Sequence, residues 1–140
     1  MPRKWTTLAA AVAAVILTAS GFSYADEDSP VHKLMEKVGV KNNAVAKGVR
    51  TPVAFKKAQK ELDAHVEELI KLGKEWRELK EPAEKQKKSF AEWTKLTDDY
   101  IKKSEALKEA IGKGQSEAKS AHNAVKATCT ACHEVFRVEE

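Results

Sequence analysis

The helical spacing of apolar residues, interrupted at Pro and Gly, is the feature that most constrains the fold of this chain. After position 30 the apolar residues recur every three or four positions, and no stretch alternates as a β-strand does. Ser29-Pro30 and Thr51-Pro52 have the form of helix starts, with a hydroxyl side chain before a Pro at the first helical position. Helix stops are predicted at Gly48, Glu81-Pro82 and Gly112-Lys113-Gly114.

Each predicted helix carries its apolar residues on one face. The four sets are Val31, Leu34, Met35, Val38 and Val45; Phe55, Ala58, Leu62, Val66, Leu69 and Trp76; Phe90, Trp93, Thr97, Tyr100, Ile101, Leu107 and Ile111; and Ala118, Ala121, Val125, Cys129, Cys132 and Phe136. The helices are expected over about 30–47, about 52–80, from about 90 to 111, and from about 115. Four amphipathic helices with short connections predict an all-α fold, an antiparallel four-helix bundle.

The first 25 residues have the composition of a secretory signal peptide. Arg3 and Lys4 precede an apolar run, and Ser23-Tyr24-Ala25 places small residues where a signal peptidase cuts. The alternative is a retained membrane anchor, for which the run is short, since a span needs about 20 apolar residues. We therefore expect cleavage after Ala25, a single domain over 26–140, and no membrane span after cleavage.

The charge of the chain argues against nucleic acid as a partner. The formal net charge is +4, and loss of Arg3 and Lys4 leaves +2 (4 − 2). The remaining charges are spread along helical faces, without the basic cluster that a nucleic-acid interface requires.

The chemistry of the sequence is concentrated in Cys129-Thr130-Ala131-Cys132-His133, which contains both cysteines of the chain. C-x-x-C-H is typical of covalent c-type haem attachment, with thioethers at both cysteines and the His imidazole as proximal iron ligand. On a helix the three side chains lie at i, i+3 and i+4 and face one way. There are three alternatives. A thioredoxin-like thiol pair would need a βαβ setting, and a closed zinc site would need four ligands. A structural disulfide would close only a very small loop.

The C-terminal stretch Cys129–Arg137 resembles that of class II c-type cytochromes, the group of cytochrome c′ and cytochrome c-556. The resemblance lies in C-x-x-C-H near the chain end, an aromatic residue three positions later (Phe136) and then a basic one (Arg137), and it extends to Lys33-Leu34-Met35 and Lys47-Gly48 in the first helix. It implies a four-helix bundle with one haem c per chain near one end, between the first and last helices. It also implies a periplasmic location and, in some members, dimers formed through the first two helices.

Two departures from that pattern concern the first helix. The Arg-Gln pair common in the family is replaced by Asp28 and Ser29, and the position that usually holds an apolar residue over the distal haem face is His32. His32 is our first prediction for the sixth iron ligand, Met35 is the alternative, and an open site is the third option. For His65 and His122 we expect ordinary, partly buried helix histidines.

These features predict an electron carrier rather than an enzyme, since no catalytic base or nucleophile stands out. Redox proteins are the expected partners. The alternative is a five-coordinate haem protein of the cytochrome c′ type that binds small gases such as NO or CO. Arg137 is a candidate contact for a haem propionate, or else a solvated cation near a helix C-terminus.

Overall fold

The structure is a computed structural model that describes residues 28–137. The described part is all-helical, with no strand, and contains α1 (Pro30–Gly48), α2 (Pro52–Arg77), α3 (Glu81–Lys85), α4 (Phe90–Ile111) and α5 (Gln115–Phe136). The predicted signal peptide and its cleavage site lie outside these residues. None of the helices in this range is both long enough and apolar enough to cross a membrane.

The predicted helix starts are confirmed by their capping contacts. The Ser29 hydroxyl accepts a hydrogen bond from the backbone N–H of His32 at 3.2 Å, and the Thr51 hydroxyl accepts one from Ala54 at 3.2 Å. Each cap satisfies one of the N–H groups that the first helical turn leaves without a partner.

One prediction about the helices was incomplete. The second helix ends at Arg77 rather than near residue 80, and the Glu81-Pro82 site, predicted as a break, also begins the five-residue helix α3. Pro is tolerated in the first turn because its missing N–H has no intrahelical acceptor there. Pro82 and Ala83 are buried, so α3 covers one end of the bundle.

The apolar faces form one core, as their spacing predicted. α1 packs on α2, α2 on α4, and α4 on both α3 and α5, whereas α1 makes few contacts with α5. The central side chains Leu62, Val66, Leu69 and Leu107 are fully buried. Burial of one such side chain stabilises the folded state by about 1.5–3 kcal/mol.

Two polar contacts hold α5 near the C-terminal half of α1. The Gln115 side chain donates to the backbone carbonyl of Val49, just after α1, at 2.6 Å. Further along α5, His122 Nε2 lies 2.8 Å from Asn42 Oδ1. The motif residues lie beyond these contacts, about two to three turns after His122 on α5.

Candidate functional site

The C-x-x-C-H motif lies in the last turns of α5, and the helix presents it as the sequence predicted. Cys129 and Cys132 are half-buried free thiols, and the next residue, His133, is more exposed. Their i, i+3, i+4 spacing on one continuous helix places the three side chains on one side.

Aromatic contacts anchor this end of α5. The Phe136 ring meets Trp93 of α4 edge to face, with centroids 5.1 Å apart and planes at 80°. Trp93 Nε1 in turn donates to the backbone carbonyl of Trp76, at the end of α2, over 3.1 Å. Because all three rings are buried, the motif is held against α2 and α4 from its C-terminal side.

The motif side chains line a single pocket together with residues of the other three long helices. Its walls are formed by Met35 from α1, Trp76 from α2, Leu96, Thr97 and Tyr100 from α4, and Thr128, Cys129, Cys132 and His133 from α5. The walls are mainly apolar. Besides Tyr100, two hydroxyl residues, Thr97 and Thr128, lie among them, and each donates to a backbone carbonyl of its own helix.

Trp76 and Tyr100 form the aromatic wall of the pocket. Their ring centroids are 4.6 Å apart and their planes are tilted by 47°. The Tyr100 hydroxyl points towards the Leu69 carbonyl at 3.5 Å, and burial raises the pKa of this phenol. A Cβ at Gly73 would lie 3.0 Å from the Tyr100 ring, so a glycine at this point of α2 gives the ring its space.

The electrostatic environment keeps the motif side chains neutral. Burial, with a smaller effect of the neighbouring Cys129, raises the pKa of Cys132 to about 11. Burial also raises the pKa of Cys129, although the charge of Lys126 opposes it. Burial and then Arg137 lower the pKa of His133, which favours the neutral imidazole. At neutral pH the site therefore presents two thiols and an uncharged imidazole.

This state is unlike that of a reactive thiol pair. A redox-active cysteine is a thiolate at neutral pH because its surroundings lower its pKa. Here the surroundings act in the opposite direction on both thiols. The thioredoxin-like interpretation of the motif therefore lacks the activated nucleophile that it needs.

The zinc interpretation also finds no support in the arrangement of ligands. Within residues 28–137, no three His, Cys, Asp or Glu side chains come together in a way that could hold a metal ion. A structural zinc site normally uses four such ligands.

The two candidates for the sixth iron ligand occupy different surroundings on α1. Met35 lies on the pocket wall, in the same cavity as the motif. His32 lies one turn earlier, outside the pocket lining, with its Nε2 3.6 Å from a Glu36 carboxylate oxygen. A methyl group at Gly39, on the same line of α1 as His32, would meet nothing within 4 Å.

The other predicted residues are more distant from the pocket. His65 is half-buried on α2. His122 is more deeply buried than we expected, at 3% exposure, and serves as the bridge to Asn42. Arg137 is exposed directly after α5, where its backbone N–H bonds to the His133 carbonyl.

The pocket has the donor set for haem c but needs to widen for a macrocycle. Two thiols and an imidazole lie beside an apolar, partly aromatic wall, as c-type attachment requires. The cavity measures about 30 Å³, about the share of liquid volume that one water molecule occupies. Room for a porphyrin would come most easily from separating α1 from α5, because these two helices make few contacts with each other.

Sequence reasoning did not identify several pocket residues. Of the six aromatic residues assigned to the core, the two that line the pocket are Trp76 and Tyr100, and Leu96, Thr97 and Thr128 were not singled out as site residues. Their membership follows from how the helices are rotated against each other, for which one sequence carries no direct signal.

Comparisons of the chain with protein-family models, with curated proteins and with solved structures find no match. The fold and site thus define a protein of the all-helical, bundle-like class with a Cys-Cys-His pocket at one end.

Proposed function

We propose that this chain is a periplasmic c-type cytochrome that carries single electrons through one covalently attached haem. In this proposal the long helices form an antiparallel bundle, and the haem lies between α1 and α5. One observation carries the proposal: Cys129, Cys132 and His133 line the same apolar pocket, and the other three long helices supply its remaining walls.

The roles of the motif residues follow from their chemistry. Each thiol would add across one vinyl group of a haem: the S–H bond and the vinyl π bond would break, and a C–S and a C–H bond would form. The neutral His133 imidazole has a free lone pair for the iron. The bound haem supplies one-electron chemistry, and the protein supplies its attachment, its axial ligand and a low-dielectric environment.

The protonation state of the thiols supports attachment over thiol redox chemistry. A buried thiol with a raised pKa is a poor partner for thiol–disulfide exchange near neutral pH. Its burial beside an aromatic wall suits a sulfur that is to be bonded to an apolar ring system.

For the sixth position the sequence favoured His32, with Met35 as the alternative. The pocket lining now supports Met35, because its side chain shares the cavity with His133 while His32 faces Glu36. His32 remains a prediction, since it lies only one helical turn away and widening of the pocket would move α1. Methionine ligation gives a higher reduction potential than bis-histidine ligation.

Covalent attachment is tested by intact mass after expression in a host that matures c-type cytochromes. We expect one haem per chain, retained after acid-acetone treatment. Cys129→Ser and Cys132→Ser should each weaken or abolish attachment. Thr130→Ser, an exposed position between them, is the matched control and should leave attachment unchanged. Complete extraction of haem from the unmodified chain would contradict the proposal.

The ferric absorption spectrum separates electron carriage from gas binding. A low-spin spectrum that turns high-spin in Met35→Ala identifies Met35 as the ligand, and the same change in His32→Ala identifies His32. A parent protein that is already high-spin, with neither variant altering it, has an open site and favours the gas-binding alternative. Arg137→Ala tests the propionate contact, because loss of that contact should shift the reduction potential.

A further inference from the structure

The pocket brings together an unusual number of soft sulfur donors. Cys129 and Cys132 contribute two thiols from α5, and Met35 contributes a thioether from α1. All three sulfur-containing residues of the described part of the chain therefore line one cavity of about 30 Å³. A cavity of this size suits a single ion better than an extended molecule.

The chemistry of these donors selects a particular kind of metal ion. Thiolate and thioether ligands favour Cu(I), whereas zinc prefers a four-ligand set of Cys, His and carboxylate groups. The absence of any three converging His, Cys, Asp or Glu side chains within 28–137 speaks against a zinc site. That finding does not concern a ligand set of two cysteines and one methionine.

We propose that the reduced chain without haem binds one Cu(I) ion through the thiolates of Cys129 and Cys132, with the Met35 thioether as third ligand. Two thiol protons pass to solvent as two Cu–S bonds form, and copper stays in the +1 state. Nothing is oxidised or reduced. The resulting centre carries a net charge of −1, from one positive ion and two thiolates.

The surroundings contain a cation for that charge. Lys126 lies three residues before Cys129 on α5, about one helical turn away, with its side chain exposed. Because the walls are otherwise mainly apolar, the Cu–S bonds must supply the free energy that deprotonates two buried thiols. Displacement of both protons is expected because the ligand form of cysteine is the thiolate.

The copper site and covalent haem exclude each other, since both use Cys129 and Cys132. The copper proposal thus concerns the chain before any thioether is formed, and it does not depend on the proposed electron-transfer function. Haem attachment is read from mass after maturation, and copper binding from the chain expressed without maturation, so failure of one leaves the other intact.

The experiment titrates the reduced full chain with Cu(I), supplied as its acetonitrile complex, against bicinchoninate under anaerobic conditions. We expect one equivalent to bind. Met35→Leu, which conserves volume, should lower the affinity at least tenfold, and Cys132→Ser should lower it further. Val40→Ala is the matched control, at an exposed position on the same helix but outside the pocket, and should change the affinity less than twofold.

Circular dichroism of each variant establishes that the helices are intact. X-ray absorption of the copper complex should show sulfur ligands, with one fewer in Met35→Leu. The proposal is overturned if no equivalent binds, if Met35→Leu binds as tightly as the parent, or if Zn²⁺ displaces the bound Cu(I) at equal concentration.

Discussion

Protonation of His122 should weaken the contact between α1 and α5. This imidazole is 3% exposed, and its Nε2 lies 2.8 Å from the side-chain oxygen of Asn42 across the helix pair. Burial, and then the positive charge of Lys126, lower the pKa of His122 below its ordinary value of 6.5. The folded protein therefore favours the neutral ring.

The sign and size of the effect follow from this shift. The unfolded chain binds a proton at His122 more readily than the folded chain does, so the free energy of unfolding falls as the pH falls. The stabilisation is complete above the ordinary pKa of 6.5. Below it, each pH unit removes about 1.4 kcal/mol until the folded-state pKa is reached.

The assay is urea denaturation of the parent and of His122→Gln between pH 4 and pH 8. This range extends about two pH units on either side of the ordinary pKa of histidine. Gln keeps an N–H donor for Asn42 but does not titrate, so the variant should lose part of the acid-side decline. Burial lowers the pKa of His133 as well, and the difference between the two curves isolates His122. His65→Gln, at a half-buried position on α2, is the matched control.

A third variant measures the hydrogen bond itself. Asn42→Ala leaves the buried imidazole N–H without its acceptor, which should lower the free energy of unfolding by about 1–3 kcal/mol at pH 8. Identical pH profiles for the parent and His122→Gln, together with an unchanged stability of Asn42→Ala, would refute the bridge as a stabilising contact.

Three further substitutions test other buried polar groups by urea denaturation. Trp93→Phe removes the 3.1 Å hydrogen bond to the Trp76 carbonyl, which keeps the Leu79 N–H as a second donor at 3.0 Å, and should lower the free energy of unfolding by about 0.5–1.5 kcal/mol; unchanged stability would contradict this. Ser104 is fully buried in α4, where its hydroxyl has no partner within 3.5 Å and interacts only with the Tyr100 phenol, so Ser104→Ala should raise the free energy of unfolding by about 0.5–1 kcal/mol, and a loss would show that the contact with Tyr100 stabilises the fold. Gln115→Ala removes the 2.6 Å bond to the Val49 carbonyl and should cost about 1 kcal/mol, with Ser116→Ala on the exposed side of α5 as its control.

Local signals in the sequence were sufficient for most of the helical structure. The hydroxyl-Pro pairs at Ser29 and Thr51 predicted two helix starts because capping needs only residues within one turn. The buried faces followed from spacing alone, and Trp93, Tyr100 and Leu107 are buried where that spacing placed them. The outcome at Glu81-Pro82 was harder to predict, because the same residues that end one helix also begin another.

The pocket was only partly predictable. Cys129, Cys132 and His133 were assigned together because their relation is fixed within one helix. His32 and Met35 are three positions apart, which separates them by about 60° around the helix axis. A modest rotation of α1 decides which of the two enters the pocket, and that rotation depends on packing between helices rather than on local sequence.

The order in which the long helices pack has a consequence for folding kinetics. α1 contacts α2, α2 contacts α4 and α4 contacts α5, so most pairings join helices that are neighbours along the chain. Such contacts require little loop-closure entropy, and chains with low contact order fold quickly, in microseconds to milliseconds. The pairing of α1 with α5 joins the two ends of the described chain and contributes few contacts. We expect it to form after the other helix pairs, so that the wall containing Met35 closes over the cysteines as one of the final steps of folding.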